Sequence, residues 1–273
     1  MTSSIRYFAG NRRVDTLPDH DRGLAYGDGL FETMRAFRGG VPWWVPHWQR
    51  LRRGAQALRL ALPDENLVRV EGERLLESGD GVLKLIVTRG AGGRGYAAPT
   101  DAEPHWTLSK HPLPPPAPAS GLALRWCDTR LAMQPALAGI KHCNRLEQVL
   151  ARSEWDDPTV HEGLLRSADG DVVSATAANV FVLYEGTWKT PLVDRCGIAG
   201  VCRAWALAAL DAAQSRLAVT DVEAADAVFL CNAVRGILPV ARLGARSWRT
   251  HPQVMELQRR LAAEHPAFGT EVS

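Results

Sequence analysis

The feature that most constrains the fold is a proline-rich stretch near the middle of the chain. Five of the seven residues from Pro112 to Pro118 are proline. This density favours a stiff, extended connector, because proline fits neither a helix interior nor a central strand. The stretch predicts an N-terminal α/β domain over residues 1–111, a linker over 112–120 and a C-terminal α/β domain over 121–273. A chain of 273 residues is long enough for two such cores.

Apolar patterning predicts helices and strands in both domains, so the expected fold class is α/β (α+β). Trp48, Leu51, Ala55 and Leu58 recur at helical spacing and predict one face of a helix. The run 82–87 has the composition of a strand, and 227–231 has that of a buried strand.

Charge and cysteine content exclude several classes of protein. The 32 basic and 30 acidic residues leave a formal charge of +2, so no nucleic-acid or membrane partner is expected. The start lacks an apolar signal segment and no later run could span a membrane, which favours a cytoplasmic enzyme. Five scattered cysteines without a Cys-x-x-Cys pair, and histidines without a His-x-x-x-His pair, predict neither a disulfide framework nor a metal site.

Lys141 is the first candidate for chemistry. A lysine amine can lose its proton when desolvated and then act as a nucleophile or proton carrier, which arginine cannot do. Lys141 follows a Gly-Ile turn and precedes a predicted helix with Leu146, Val149 and Leu150, so we expect it at a strand-to-helix junction. The alternative is an ordinary surface lysine at a helix start. The chain has only three other lysines, Lys84, Lys110 and Lys189.

Three further features suit an anionic ligand. Arg50 lies at the edge of the predicted apolar helix face, where it could bind a phosphate or extend to water. The loop 90–96 carries Arg94 among glycines and suits a substrate-gripping role, since no Gly-Lys-Ser/Thr sequence closes it as a phosphate loop. The turn 197–200 leads into a helix and offers backbone N–H groups to a phosphate, although a plain helix start has the same sequence. A lysine, an arginine and free amides together are what pyridoxal 5'-phosphate requires.

These features also occur together, in order, in a known family. The chain resembles the fold-type-IV pyridoxal-phosphate enzymes, which include D-amino-acid and branched-chain aminotransferases and aminodeoxychorismate lyases. The resemblance implies a two-domain fold like that of D-amino-acid aminotransferase and the cofactor pyridoxal 5'-phosphate. It covers nearly the whole chain through Asp21-Arg22-Gly23 with Tyr26-Gly27-Asp28-Gly29, His47-x-x-Arg50-Leu51, Gly92-Gly93-Arg94-Gly95-Tyr96, Lys141-His142-x-Asn144-Arg145-Leu146-Glu147-Gln148, Ala177-Ala178-Asn179-x-Phe181 and Cys231-Asn232-Ala233.

The resemblance also assigns roles and an activity. It makes Lys141 the catalytic Schiff-base lysine and Arg50 the side-chain phosphate ligand, and it implies a homodimer. The Gly-Gly-Arg-Gly-Tyr and Lys-His-x-Asn-Arg signatures favour the lyases, which convert 4-amino-4-deoxychorismate to 4-aminobenzoate and pyruvate in folate biosynthesis. An aminotransferase on the same fold and a non-catalytic cofactor-binding protein are the alternatives. The other phosphate contacts implied are Ile198, Ala199, Asn232 and Ala233.

The implied substrate is a small molecule with two carboxylates, which calls for cationic ligands. Arg94 in its glycine loop is the first candidate. Arg89 and Arg145 are weaker candidates, since either could serve as a structural ion-pair partner, and Tyr26 is also assigned to substrate binding.

One position departs from the family. Most members have a glutamate five residues before the asparagine of the Asn-x-Phe element, and it keeps the pyridine nitrogen protonated. This chain has Ser174 there, which we expect to face the cofactor ring. Asp171 lies in the preceding hairpin turn and is not expected to replace the glutamate. A serine leaves the ring a weaker electron sink, which we expect to favour elimination over transamination.

Overall fold

The computed structural model describes residues 5–77 and 79–269. The chain divides into two compact units, and the division falls inside the proline-rich stretch. Unit 1 is Met1–Leu113 with Ile140–Asn144, and unit 2 is Pro114–Gly139 with Arg145–Ser273. Both units contain sheets and helices, so the predicted α/β (α+β) class is confirmed.

Unit 1 contains a five-stranded antiparallel sheet with helices packed on it. Its strands are β1 (Ile5–Ala9), β2 (Arg12–Val14), β3 (Gly29–Ala36), β4 (Gly81–Thr88) and β5 (His105–His111). Its helices are α1 (Arg22–Tyr26), α2 (Trp44–Leu58) and α3 (Glu65–Leu76). The strand order is β2-β1-β5-β4-β3, which places β3 at one edge.

Helix α2 packs on β3 because both present an apolar face to the same core. Trp48, Leu51 and Ala55 are buried, which confirms the predicted helical face for these three residues. A Cβ at Gly54 would lie 2.9 Å from the side chain of Leu30 on β3, so glycine permits the close approach of helix and strand.

A segment distant in sequence completes the β3 edge of unit 1. Residues 140–144 run antiparallel to β3, with an isolated bridge between Leu30 and His142. The N–H of Phe31 donates to the carbonyl of Lys141 at 3.0 Å, and the N–H of Cys143 donates to the carbonyl of Gly29 at 2.9 Å. These backbone hydrogen bonds fix Lys141 against a rigid sheet.

Unit 2 is built around a nine-stranded mixed sheet. Its strands are β6 (Leu122–Leu131), β7 (Glu162–Ser167), β8 (Val172–Ala175), β9 (Asn179–Tyr184), β10 (Thr187–Pro191), β11 (Ala213–Ser215), β12 (Ala227–Asn232), β13 (Gly236–Leu243) and β14 (Arg246–Ser247). Its helices are α4 (Leu146–Arg152), α5 (Val201–Leu210), α6 (Val219–Ala224) and α7 (Pro252–Glu264). The strand order is β11-β10-β9-β12-β13-β6-β7-β8, and β14 pairs with β13.

The core of unit 2 lies around its central strands. Phe181 of β9 and Phe229 of β12 stack with ring centroids 4.8 Å apart, and Trp188 of β10 packs edge-on against Phe229 at 5.1 Å. Both phenylalanines are fully buried. The packed strands hold the carboxyl end of β12, at Asn232, and the neighbouring start of α5.

Helix α4 forms where the sequence predicts a helix, but its apolar side chains are not covered. Leu146, Val149 and Leu150 are 76%, 57% and 61% exposed. Lys141 precedes this helix by five residues and lies in the extended segment along β3. The prediction of a helix is therefore confirmed, whereas Lys141 is positioned by a strand edge and not by the helix start.

The helices of residues 5–77 and 79–269 are too short or too polar to cross a membrane. The longest of them, α2, has 15 residues. A membrane-spanning helix needs about 20 mostly apolar residues.

Candidate active site

The amine of Lys141 lies over an aromatic ring on the open face of the unit 1 sheet. Its Nζ is 4.3 Å from the centroid of Phe31. The side chain is half-buried. Contact with the ring limits where the flexible lysine can place its amine, because a cation is attracted to the ring face.

A second lysine, which no sequence motif singles out, shares this face. Lys84 of β4 lies opposite Thr33, and its Nζ is 5.8 Å from the same Phe31 ring. In the sequence Lys84 is only the polar member of an apolar strand. The register of β3 and β4 brings it beside Lys141, and a pairing register is not visible in a single strand.

Arg50 is buried in an ion pair with Glu32 of β3. Its Nε donates to Glu32 Oε1 at 2.8 Å, and its Nη2 donates to Oε2. His47, one turn earlier on α2, contributes a third contact through Nδ1, 2.6 Å from Glu32 Oε2. All three residues are at most 5% exposed. The sequence pattern indicates Arg50, but it does not show that Glu32 contacts both Arg50 and His47.

The electrostatics of this cluster extend to Lys141. Burial alone disfavours a charged carboxylate, yet the contacts with Arg50 and His47 lower the pKa of Glu32 to about 2. Burial lowers the pKa of His47, and the charges of Arg50 and Lys141 lower it further against the opposing effect of Glu32. A neutral His47 beside a charged carboxylate carries its proton on Nδ1.

The glycine loop 90–96 is held by a buried arginine of the Asp-Arg-Gly element. Arg22 Nη1 donates to the carbonyls of Gly95 and Ala97 at 3.1 and 3.3 Å, and its Nη2 donates to that of Tyr96 at 3.3 Å. Arg22 Nε donates to Asp28 at 2.9 Å. Arg22 is 4% exposed, so its side chain attaches the loop to the interior of unit 1.

Arg89 has a structural role, so our proposal no longer includes it as a substrate ligand. Its Nε and Nη2 donate to Asp28 at 2.7 and 3.0 Å. Nη1 and Nη2 also donate to the carbonyls of Arg59 and Leu58, at 2.7 and 2.8 Å. Against the effect of burial, Arg89 and Arg22 lower the pKa of Asp28. A guanidinium with four internal hydrogen bonds is poorly placed to bind an incoming carboxylate.

Arg94 lies in the loop 90–96, whereas Tyr26 lies at the end of α1 and contacts the loop. Arg94 is exposed, and it makes no hydrogen bond or ion pair with another residue of the described ranges. The hydroxyl of Tyr26 accepts a hydrogen bond from the N–H of Gly95 at 3.1 Å. The structure thus places Tyr26 as a support of the loop and leaves Arg94 available to a ligand.

Replacing Arg22 by lysine is expected to loosen this loop without unfolding unit 1. An ammonium group cannot contact Asp28 and three carbonyls at once. We expect amide exchange in residues 90–97 to rise by about tenfold, since each hydrogen bond to a charged group contributes about 1.5–3 kcal/mol. Hydrogen-exchange mass spectrometry measures this, with Arg53→Lys on the exposed face of α2 as control. Unchanged exchange in the loop would contradict the role of Arg22.

In unit 2 the turn before α5 is held by backbone pairing. The N–H of Gly139 donates to the carbonyl of Gly197 at 3.0 Å, and the N–H of Ala199 donates to the carbonyl of Gly139 at 3.0 Å. The amide of Ala199 is thereby engaged, so we no longer assign it to the phosphate. Because Gly139 pairs in parallel with Ile198, the Ile198 amide points away from this pairing.

The side chain of Asn179 lies close against the backbone at the start of α5. Asn179 Nδ2 donates to the carbonyl of Ile198 at 2.9 Å. A Cβ at Gly200, the residue before the helix, would lie 2.1 Å from Asn179 Oδ1, so only glycine fits there. The first N–H groups of α5 have no intrahelical acceptor, and they form the positive end of the helix dipole.

The strand end at Asn232 forms a compact turn beside α5. Asn232 Oδ1 accepts from the N–H groups of Val234 and Arg235 at 3.0 and 2.8 Å. The thiols of Cys202 in the first turn of α5 and Cys231 hydrogen-bond to each other, and burial with this contact raises the pKa of Cys202. These contacts bring the helix start and the strand end together within unit 2. Ala233, next to Asn232, is 9% exposed.

Ser174 lies on β8 with its side chain 9% exposed. It makes no side-chain hydrogen bond to another residue of the described part, so its hydroxyl is available to a ligand. Asp171 Oδ2 lies 3.9 Å from Arg216 Nε. The Asp171 carboxylate therefore has a partner in its own unit.

Arg145 is half-buried and directly precedes α4, where its carbonyl accepts from the N–H of Val149 at 3.0 Å. The structure places it in unit 2, next to the exposed apolar face of α4. It stays a candidate for the substrate.

Comparison with known proteins defines the class. The family Amino-transferase class IV matches residues 29–243, and the chain belongs to this family. It is 32% identical to an aminodeoxychorismate lyase of Vibrio harveyi, over 90% of this chain and 94% of that protein. The crystal structure of 4-amino-4-deoxychorismate lyase from Pseudomonas aeruginosa superposes with a TM-score of 0.88 at 40% identity, covering 95% and 99% of the two chains.

Aminotransferases of the same family are also similar. A putative branched-chain-amino-acid aminotransferase of Methanocaldococcus jannaschii is 30% identical, over 88% of this chain and 87% of that protein. The fold and the resemblance inferred from the motifs are therefore confirmed.

Proposed function

We propose that this protein is a pyridoxal-phosphate-dependent lyase that converts 4-amino-4-deoxychorismate to 4-aminobenzoate and pyruvate, a step that supplies folate biosynthesis. The main observation is the placement of Lys141, which backbone hydrogen bonds to β3 and the Phe31 ring hold at a fixed site. The lyases of Vibrio harveyi and Pseudomonas aeruginosa support the choice, since each is similar over nearly its whole length.

The residues present fit the cofactor. Lys141 would hold it covalently through Nζ, and Arg50, the Ile198 amide and the Ala233 amide are the groups assigned to its phosphate. Asn232 holds the turn that carries Ala233, and Gly200 admits the side chain of Asn179 at the start of α5. When bound, the cofactor supplies an electron sink for the carbon that bears the substrate amine.

Lys141 is also the proton carrier. Its amine removes the proton from the amine-bearing carbon and donates one to the departing enolpyruvyl oxygen. The ring of Phe31 restricts the amine to one region, which favours transfer between two neighbouring atoms.

The two substrate carboxylates require cations. Arg94 remains the first candidate because the loop that carries it is fixed while its own side chain is exposed. Lys84 is a second candidate because it shares a sheet face with Lys141. Tyr26 and Arg145 remain in the proposal, Tyr26 as the support of the Arg94 loop.

The test is a product assay on the purified protein supplied with pyridoxal 5'-phosphate. We expect 4-aminobenzoate and pyruvate to form in equal amounts from 4-amino-4-deoxychorismate. Faster transamination of D-alanine or leucine would favour the aminotransferase alternative. Cofactor binding without either turnover would favour a non-catalytic binding protein.

Ser174 is proposed to face the pyridine nitrogen and to limit transamination. We expect Ser174→Glu to raise the ratio of transaminase to lyase turnover about tenfold, because a nearby carboxylate raises the pKa of a ring nitrogen by about one to three units. Measuring both products from one preparation gives the ratio, with Ser174→Ala as the uncharged control. An unchanged ratio in Ser174→Glu would show that this position does not set the cofactor's electronics.

We propose that the protein is a homodimer and that α4 lies in the interface. Leu146, Val149 and Leu150 expose apolar surface in one short helix. Leu146→Asp with Leu150→Asp should raise the dimer dissociation constant at least about 100-fold, since burying each leucine contributes about 1.5–3 kcal/mol. Light scattering across a dilution series measures this, with Met255→Asp on α7 as control. A dimer unaffected by the double substitution would exclude α4 from the interface.

A cytoplasmic location completes the proposal. The five cysteines are scattered and form no Cys-x-x-Cys pair, a pattern that does not favour a disulfide framework and suits a reducing compartment. Cell fractionation with a marker of the cytoplasm tests it.

A further inference from the structure

Glu32 lies at the centre of β3 and faces helix α2. It is 1% exposed, and none of its neighbours in the strand is charged except Arg35. A carboxylate in such a place is stable only with partners that repay its desolvation. Its partners are His47 and Arg50, three residues apart and thus on one face of α2.

The contact with Arg50 fixes the plane of the guanidinium. Glu32 Oε1 accepts from Nε at 2.8 Å, and Oε2 accepts from Nη2. Two parallel hydrogen bonds along one edge prevent rotation of the planar group. The opposite edge, which carries Nη1, is turned away from Glu32.

His47 holds the carboxylate from the other side. Its Nδ1 is 2.6 Å from Glu32 Oε2, and the ring is 1% exposed. A neutral imidazole that donates from Nδ1 adds a restraint without adding charge. His47 therefore restrains the Glu32 carboxylate, and the carboxylate in turn restrains the guanidinium of Arg50.

We propose that Glu32 is a positioning residue for cofactor binding, which orients the guanidinium of Arg50 toward the phosphate of pyridoxal 5'-phosphate. The inference rests on the proposed function, because it takes Arg50 as a phosphate ligand. Glu32 does not itself contact the cofactor.

The test compares two ligands that differ only in the phosphate. Dissociation constants for pyridoxal 5'-phosphate and for pyridoxal are measured by absorbance with wild-type protein and with Glu32→Asp. This variant keeps the charge and withdraws the carboxylate by one methylene. We expect binding of pyridoxal 5'-phosphate to weaken about tenfold or more and binding of pyridoxal to stay within about twofold.

Glu32→Gln separates orientation from charge. Orientation by a bidentate carboxylate predicts weaker binding of pyridoxal 5'-phosphate, since an amide offers Arg50 only one acceptor. If Glu32 served only to balance charge, its removal would strengthen phosphate binding, and Glu32→Asp would resemble wild type. That pair of results would overturn the proposal, as would an equal loss for both ligands. Either variant decides the question if the other does not fold.

Glu71→Asp is the matched control. Glu71 is also a buried glutamate of unit 1 and pairs with two arginines, Arg6 at 2.7 Å and Arg74 at 2.6 Å. We expect it to leave the ratio of the two dissociation constants unchanged. A wild-type protein that binds cofactor but forms no 4-aminobenzoate would contradict the proposed function and leave this inference intact.

Discussion

Replacing Lys141 by alanine is expected to lower 4-aminobenzoate formation by at least about 10³-fold, because in the proposed function the residue is both covalent ligand and proton carrier. The absorbance band of the lysine-bound cofactor should disappear as well. Stability should change little, since Lys141 contributes its backbone to the β3 edge and its side chain is only half-buried. The measurements are an absorbance spectrum, a pyruvate assay and a thermal melt on the same preparation.

Lys189→Ala is the control for Lys141. Lys189 lies on β10 and pairs with Glu185 at 3.4 Å across a turn of unit 2. Its removal should change neither spectrum nor turnover. If Lys141→Ala kept either the band or the lyase activity, the role given to Lys141 would be wrong.

Replacing Arg50 by methionine is expected to destabilise the protein by about 3–5 kcal/mol at neutral pH, because it leaves Glu32 charged and buried without its main partner. The same change removes the proposed phosphate ligand. Urea unfolding without cofactor measures the first effect, and titration with pyridoxal 5'-phosphate measures the second.

The stability loss should depend on pH in a defined direction. In the folded wild type the pKa of Glu32 is about 2, below its ordinary value of 4.5. A carboxylate whose pKa is lower in the folded state than in the unfolded state stabilises the fold. This stabilisation is fully present above the unfolded-state pKa and is lost as pH falls toward the folded-state pKa. The difference between wild type and Arg50→Met should therefore narrow as pH falls from about 5 to about 3.

Arg52→Met is the matched control for Arg50→Met. Arg52 lies on the same helix, is 60% exposed in its side chain and pairs with Glu65 at 3.5 Å. An exposed pair of this kind contributes about 0–1 kcal/mol, so the variant should unfold near the wild-type midpoint at every pH. A small, pH-independent decrease in the free energy of unfolding of Arg50→Met would show that Arg50 does not stabilise the charged Glu32.

The apolar face of α2 could be predicted from sequence because a helix repeats its faces within a few residues. Trp48, Leu51 and Ala55 are buried as their spacing indicates. Glu32 could not be predicted, since a single carboxylate in a strand carries no sign of the helix that pairs with it. The same limit concealed Lys84, whose neighbour Lys141 is 57 positions away in the sequence.

Two candidate residues have contacts within the chain that sequence patterns do not show. Arg89 has the charge of a substrate ligand, but its donors are taken by Asp28 and two carbonyls. The amide of Ala199 lies in the predicted turn, but Gly139 accepts its hydrogen bond. The apolar spacing of α4 correctly indicates a helix. It does not indicate whether another chain covers the apolar face of that helix.

The pairing of residues 140–144 with β3 has a consequence for biosynthesis. The edge of the unit 1 sheet is closed by a segment that leaves the ribosome after all of β1 to β5 has been made. Until that segment arrives, the backbone groups of Gly29 and Phe31 lack their strand partner and can template pairing with other nascent chains. Completion of the first sheet therefore awaits synthesis of Lys141, so a truncated product that lacks residues 140–144 has an open sheet edge and also lacks the proposed Schiff-base lysine.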